Sequence, residues 1–315
     1  MIPTVAINGG LGNQLFQWFF AHSINENQQF RIDKIFDSYD FTRQLHYQLA
    51  GLERQCNHVL NPAHGKRLDE TRRIIFSILN RSWNYSSLRV ALRALGYLRE
   101  SPKKTDPQNM EEFYDRRVFY AFGYFQNVQT ALQNCLLENE LEPYVTAIAQ
   151  KLLSRLGLRE KEYDLVHVRK YPIREMRQVD IGNLSFEYYQ DWIDRVGSKK
   201  LIILCKDFRE AEFLLNNYPD IVILDDSHVN PWEAIALMSR AQKCLSSNST
   251  LSWWGAFLCN RNSGEAYLPS DWSYWGNVET TKLYFESCKI QISTWDIGKH
   301  DDPTCIDPRT GKYII

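Results

Sequence analysis

Residues 246–258 read SSNSTLSWWGAFL: five hydroxyl or amide side chains in succession, running into two tryptophans and an apolar helix start. A helix needs only one side-chain oxygen as its cap. Four such residues in the turn itself, Ser247, Asn248, Ser249 and Thr250, are a surplus. With the positive end of a helix dipole behind them, they have the chemistry of an anion cradle. HVRKYP, residues 167–172, is the second candidate. There Arg169 offers a flat two-pronged donor suited to phosphate oxygens, and Lys170 adds a point charge. The plainer use of the same arginine is a surface pair with a carboxylate, and His167 suits a satisfied core histidine as well as a ligand group. The third is NGGLGNQLFQWFFAH, residues 8–22, in which Gly10 and Gly12 let the backbone approach a ligand and Asn13 opens a helix. It lacks the third glycine of a dinucleotide fingerprint and the G-K-[ST] of a Walker loop, so a plain strand-to-helix turn fits it equally.

These residues need elements to hold them. Short apolar runs at 164–168, 201–205, 221–224, 244–247 and 265–269 alternate with helix-length stretches such as SFEYYQDWIDRV (185–196) and REAEFLLNNY (209–218). That alternation predicts a parallel, helix-covered sheet, whose ligands lie beyond the carboxyl ends of the strands. The residues just after the runs are polar: Arg169 and Lys170, Lys206 and Asp207, Asp225 and Asp226, then 247–250. Asp225 and Asp226 read as loop acids, since no D-x-D follows. Trp253 and Trp254 are expected to pack on the sheet rather than stack on a base. TVAIN, residues 4–8, predicts a further strand before the glycine loop.

The chain's 315 residues are about twice a usual domain, so two domains are expected, 1–158 and 159–290, with a C-terminal tail, 291–315, of unassigned packing. Basic and acidic residues number 37 and 38; this near-cancellation gives no reason to expect nucleic acid as a partner. The N-terminus shows no signal-peptide pattern, no segment has the length of a membrane span, and seven scattered cysteines contain no C-x-x-C pair. A cytoplasmic protein with reduced thiols is the expectation. One stretch departs from the balance: residues 66–104 hold ten Lys or Arg against Asp69, Glu70 and Glu100. Helically spaced apolar residues there, Ile74, Ile75, Ile78 and Leu79, then Leu88, Ala91, Leu92 and Leu95, predict two amphipathic helices with basic faces, solvated or docked on anionic lipid.

Taken together, NGGLGNQLFQ, GYFQNV (123–128), HVRK and SSNSTLSWWGAFL resemble the bacterial α-1,2-fucosyltransferases of glycosyltransferase family 11. The resemblance extends from the first loop to about residue 275. It implies an α/β, GT-B-type enzyme, two Rossmann-like domains facing across a cleft, that transfers fucose from GDP-fucose to the 2-hydroxyl of a galactose-type acceptor. Neither metal nor other cofactor is implied, and inversion is. The acceptor is expected in a cell-surface oligosaccharide, lipid-linked in some cases, as for lipopolysaccharide O-antigen. By motif position Arg169 would neutralise the β-phosphate, with Lys170 beside it. His167 and Asp207 would lie near the guanine. Ser247, Asn248, Ser249 and Thr250 would take phosphate and ribose oxygens, and Gly10, Gly12 and Asn13 would approach from the other domain. The family pattern H-x-R-R-x-D reads H-V-R-K-Y-P here, with Lys170 for the second arginine and Pro172 at the aspartate, leaving Glu175 or Asp180 as substitutes. A transferase using another nucleotide sugar, or a non-catalytic sugar- or nucleotide-binding relative, are the competing expectations.

Overall fold

The structure is a computed structural model and describes residues 4–7, 9–23, 31–34, 48–53, 98–100, 120–122, 125–132, 136–171, 182–274 and 280–296. The chain forms two compact units, Met1–Leu141 and Glu142–Ile315.

The first unit carries β1 (Thr4–Ile7), α1 (Leu11–Ser23), β2 (Arg31–Lys34), α2 (Ala50–Glu53), β3 (Leu98–Glu100), β4 (Tyr120–Phe122) and α3 (Val128–Leu132). Among the described residues its four strands lie in the order β2-β1-β4-β3, every pairing parallel. Helix α1 is buried at Leu11, at Gly12 and at every position from Gln14 through Ala21, so it is covered on all sides rather than along one stripe. Phe20 stacks on Phe125 with ring centroids 3.6 Å apart. The two helices expected within 66–104 lie outside the described residues; β3 takes the end of that stretch.

The second unit opens with α4 (Glu142–Leu156), followed by β5 (Asp164–His167), β6 (Asn183–Leu184), α5 (Phe186–Val196), β7 (Leu201–Leu204), β8 (Val222–Leu224), α6 (Pro231–Ser239), β9 (Lys243–Leu245), α7 (Thr250–Arg261), β10 (Glu265–Pro269), β11 (Lys289–Gln291) and β12 (Trp295–Asp296). Six strands make a parallel sheet ordered β11-β10-β9-β5-β7-β8. Every residue of β5 and β7 is buried, as the continuous apolar runs of strands covered on both faces require. Helix α5 turns Tyr188, Tyr189, Trp192 and Ile193 inward. It ends at Gly197, whose φ of 58° lets its N–H return to the Ile193 carbonyl.

Two sequence expectations meet a different outcome here. The helix α4 lies inside the second unit, so that unit begins at Glu142, ahead of the boundary expected near 158. The helix is tied to α6 by Tyr144 edge-on to Trp232 and by Arg155 to Glu233 at 2.9 Å, and to α7 by the Arg261–Glu142 pair. The stretch 209–218 is not a helix. It forms two 3₁₀ turns, Phe208–Glu210 and Glu212–Leu214, with Ala211 between them at φ −117°. The start of the C-terminal tail is packed: β12 pairs antiparallel with β6, Trp295 opposite Leu184 and Asp296 opposite Asn183. Among the described residues no helix is long and apolar enough to cross a membrane. Cys205, Cys244, Cys259 and Cys288 are free thiols, the first three buried.

Candidate functional site

Outward from β5 the sheet runs through β7 and β8 on one side and through β9, β10 and β11 on the other. Chain order therefore reverses between β5 and β9, and a sheet of this 3-2-1-4-5-6 order binds its ligand in the crevice beyond that reversal. Both candidate stretches of this unit fall there. HVRK leaves the end of β5, and SSNST leaves the end of β9.

The two loops are joined by a buried hydroxyl network. His167 Nδ1 lies 2.8 Å from Ser247 Oγ, which lies 3.2 Å from Ser252 Oγ on the first turn of α7. Ser246 Oγ donates to the Ser247 carbonyl at 2.7 Å and lies 2.9 Å from Ser252 Oγ. Ser246, Ser247, Asn248 and Ser252 have no exposed surface, and His167 is 4% exposed. Burial, reinforced by the Arg169 charge, depresses the His167 pKa to about 3, so the ring is neutral at ordinary pH. Asn248 donates through Nδ2 to the Gly182 carbonyl at 2.8 Å and to that of Trp272 at 3.4 Å. Its Oδ1 is buried with no partner among the described residues.

The surplus of polar groups in SSNST thus divides. Ser247 and Asn248 point inward and pin the loop, while Ser249 and Thr250 stay half-buried at the surface. Ser249 holds the N-cap position of α7 in extended backbone, yet its hydroxyl does not bond the first turn. By contrast α6 is capped in full: Asn230 Oδ1 accepts from Trp232 and Glu233 N–H at 3.0 and 3.1 Å, and Glu233 accepts from Asn230 N–H at 2.9 Å. At the start of α7, at the switch point, the N-cap residue Ser249 gives the first turn no such bond.

Arg169 is held by a residue the sequence reading did not single out. Its Nη1 donates to Glu210 Oε1 at 2.8 Å, and Glu210 Oε2 accepts from Lys170 N–H at 3.1 Å. The Arg169 guanidinium also lies 4.8 Å from the Tyr171 ring centroid. The Lys170 ammonium turns toward the short antiparallel pair, donating to the Leu184 carbonyl at 3.0 Å and to Asp296 Oδ2 at 3.3 Å, 5.3 Å from the Phe213 ring. Asp207 accepts from Arg209 N–H at 3.0 Å and so caps the turn that ends at Glu210; that bond lowers its pKa. Asp225 is occupied by Ser227 and His228 (Nδ1 at 2.8 Å), which hold its pKa down to about 2. Pro172, Glu175 and Asp180 lie outside the described residues.

In the first unit the remaining two motifs meet. Asn13 Oδ1 accepts from Gln126 Nε2 of GYFQNV at 3.0 Å. Gln14, fully buried, donates to the Gly9 carbonyl at 2.8 Å and accepts from Gln48 N–H at 2.9 Å. Gly9 rather than Gly10 or Gly12 bears the conformational demand: its φ is 75°, and a Cβ there would sit 2.8 Å from Asn13 Nδ2. A Cβ on Gly10 would meet nothing within 4 Å, and Gly12 is buried in the first turn of α1. A doubled glycine after a strand signals the turn but not which member carries the positive φ.

The second unit is thus an α/β unit built on a parallel sheet, with both candidate stretches at its switch point. Residues 98–270, more than half of the chain, match the model of glycosyl transferase family 11, and the chain belongs to that family; it is a glycosyltransferase. It is 25% identical over 313 residues to the O-antigen biosynthesis glycosyltransferase WbnK of Escherichia coli, covering 89% of this chain and 97% of that relative. Among solved structures it resembles the fucosyltransferase NodZ from Bradyrhizobium, at 12% identity and a TM-score of 0.43, covering 82% of this chain and 93% of that one. It also resembles the E. coli heptosyltransferase WaaC with ADP, at 13% identity, a TM-score of 0.43 and 93% coverage of each chain.

Proposed function

We propose that this glycosyltransferase moves L-fucose from GDP-fucose to the 2-hydroxyl of a galactose-type acceptor, with inversion and without a metal. The observation that carries the reading is the meeting, at the switch point, of the Arg169 loop with the N-terminal end of α7, through the His167–Ser247 contact. As the bond from fucose to diphosphate breaks, negative charge grows on the β-phosphate. A guanidinium and first-turn amides, fixed beforehand, stabilise that charge more than they stabilise the ground state. The acceptor hydroxyl must then lie in line with the leaving group. His167, neutral and tied to Ser247, acts here as a prop between the two loops. Guanine offers paired N–H donors, for which a carboxylate is the matching acceptor; Asp207, in the loop that follows β7, is the proposed reader.

Thermal-shift titration with GDP, UDP and ADP, followed by transfer assays from GDP-fucose to galactose-terminated acceptors, tests this. Stabilisation is expected with GDP above the other two, and the product is expected to carry fucose on O2 of galactose. Stabilisation by UDP alone overturns the donor, and GDP binding without transfer favours the non-catalytic reading. A product linked through another hydroxyl overturns the acceptor half.

A further inference from the structure

Glu210 uses both carboxylate oxygens on consecutive residues of one loop, Oε1 on the Arg169 guanidinium and Oε2 on the Lys170 N–H. The Arg169 and Glu210 side chains are each 13% exposed, so water screens the pair only in part. A carboxylate fixed at both oxygens fixes the direction of what it holds, and a long arginine side chain otherwise samples many rotamers. The carboxylate itself is placed by a short chain of backbone and side-chain bonds. Asp207 caps the turn through Arg209 N–H, and Glu210 N–H returns to the Asp207 carbonyl at 2.8 Å. One further acid faces this end of the sheet: Asp226, its pKa raised by burial, feels the positive charges of Lys206 and Arg169 and the negative charge of Glu210. Arg169 therefore sits in a field that already offsets part of its charge.

We propose that Glu210 is a positioning residue for the transfer reaction. It holds Arg169 in the orientation in which the guanidinium meets the departing diphosphate, and its charge keeps the resting site from gripping anions tightly. This rests on the reading of Arg169 as the group that meets the diphosphate. Turnover and ground-state anion affinity then move in opposite directions when Glu210 is removed, which a pair that merely stabilises the fold does not do.

The experiment compares wild type, Glu210→Ala, Arg169→Ala and the double variant, with Glu210→Gln as the isosteric substitute if the alanine variant melts below assay temperature. Glu210→Ala is expected to lower kcat ~10- to 100-fold, the scale of a misplaced catalytic group, without raising KM for GDP-fucose. In the Arg169→Ala background the same change is expected to cost less than ~2-fold more, because a residue acting through another has nothing left to act on. Calorimetric titration with inorganic pyrophosphate reads the charge effect without sugar or base. Affinity is expected to rise in Glu210→Ala, and to rise by a different factor in the Arg169→Ala background, where Glu210 has no guanidinium to hold. An unaltered kcat in a folded Glu210 variant, equal losses in both backgrounds, or kcat and pyrophosphate affinity falling together each overturn the proposal. If the wild type transfers no fucose, the donor reading fails while the pyrophosphate comparison still decides whether Glu210 and Arg169 are coupled.

Discussion

At the residue scale, a histidine that ends a fully buried strand must stay neutral or find an anion, and His167 finds a serine hydroxyl. Its folded pKa, about 3, lies below the ordinary value of 6.5. The unfolded chain therefore binds this proton more readily, and the folded state loses stability as pH falls through about 6.5 toward 3. At pH 5 the loss from this one group is about 2 kcal/mol, against about 0.2 kcal/mol at pH 7. Chemical denaturation at pH 7.5 and pH 5 is expected to show that extra loss in wild type and to lack it in His167→Gln, which keeps a hydrogen-bonding group for Ser247. Equal pH dependence in the two proteins disproves the buried neutral assignment. Residue chemistry of this kind was legible in the sequence, since Arg169 and His167 announce themselves by type. Their partners were not. Glu210 lies 41 positions from Arg169, and Asp296 lies 126 from Lys170, so only the fold brings them together.

At the element scale, the alternation of apolar runs with helix-length stretches gave the parallel sheet, because strands covered on both faces must be apolar throughout. It failed at 209–218, where helical spacing was overruled by a local cap at Asp207 and the pull of Arg169 on Glu210. It was also silent on why SWWGA holds a glycine. Trp253 and Trp254 are fully buried, as expected of packing residues; Trp253 donates Nε1–H to the Leu283 carbonyl at 2.7 Å. Gly255 faces α6 so closely that a Cβ would lie 2.6 Å from Met238 Cβ. That atom is anchored to the backbone and cannot swing away, so the two helices must separate to admit a methyl group. Gly255→Ala is expected to cost about 1–3 kcal/mol of stability, the usual scale of overpacking, measured by urea denaturation. A cost below a few tenths shows that the α6–α7 contact is looser than this geometry.

At the scale of the whole molecule, the two-unit plan was readable from length, but the position of the division depended on α4 packing against α6 and α7. No property of the helix alone decides that. Charge is the property that only the complete sequence displays. Residues 66–104 carry ten basic and three acidic side chains, a net of seven positive, while the whole chain is at −1, so the other 276 residues carry a net of eight negative. A chain so divided meets an anionic surface with one segment attracted and the rest repelled. We propose that this segment docks on anionic lipid at the inner face of the membrane, where a lipid-linked acceptor would be presented. Each Lys or Arg near such a surface contributes about 1 kcal/mol, so several acting together hold a protein there at low salt and release it once the Debye length shrinks. Cosedimentation with vesicles of anionic and of neutral lipid, at about 0.05 M and about 0.5 M salt, separates this from a merely solvated basic face. Binding is expected to the anionic vesicles at low salt, with loss at high salt and on replacing Arg72, Arg73, Arg89 and Arg93 by glutamine. Equal binding to neutral vesicles, or none at low salt, leaves the basic residues as solvated surface.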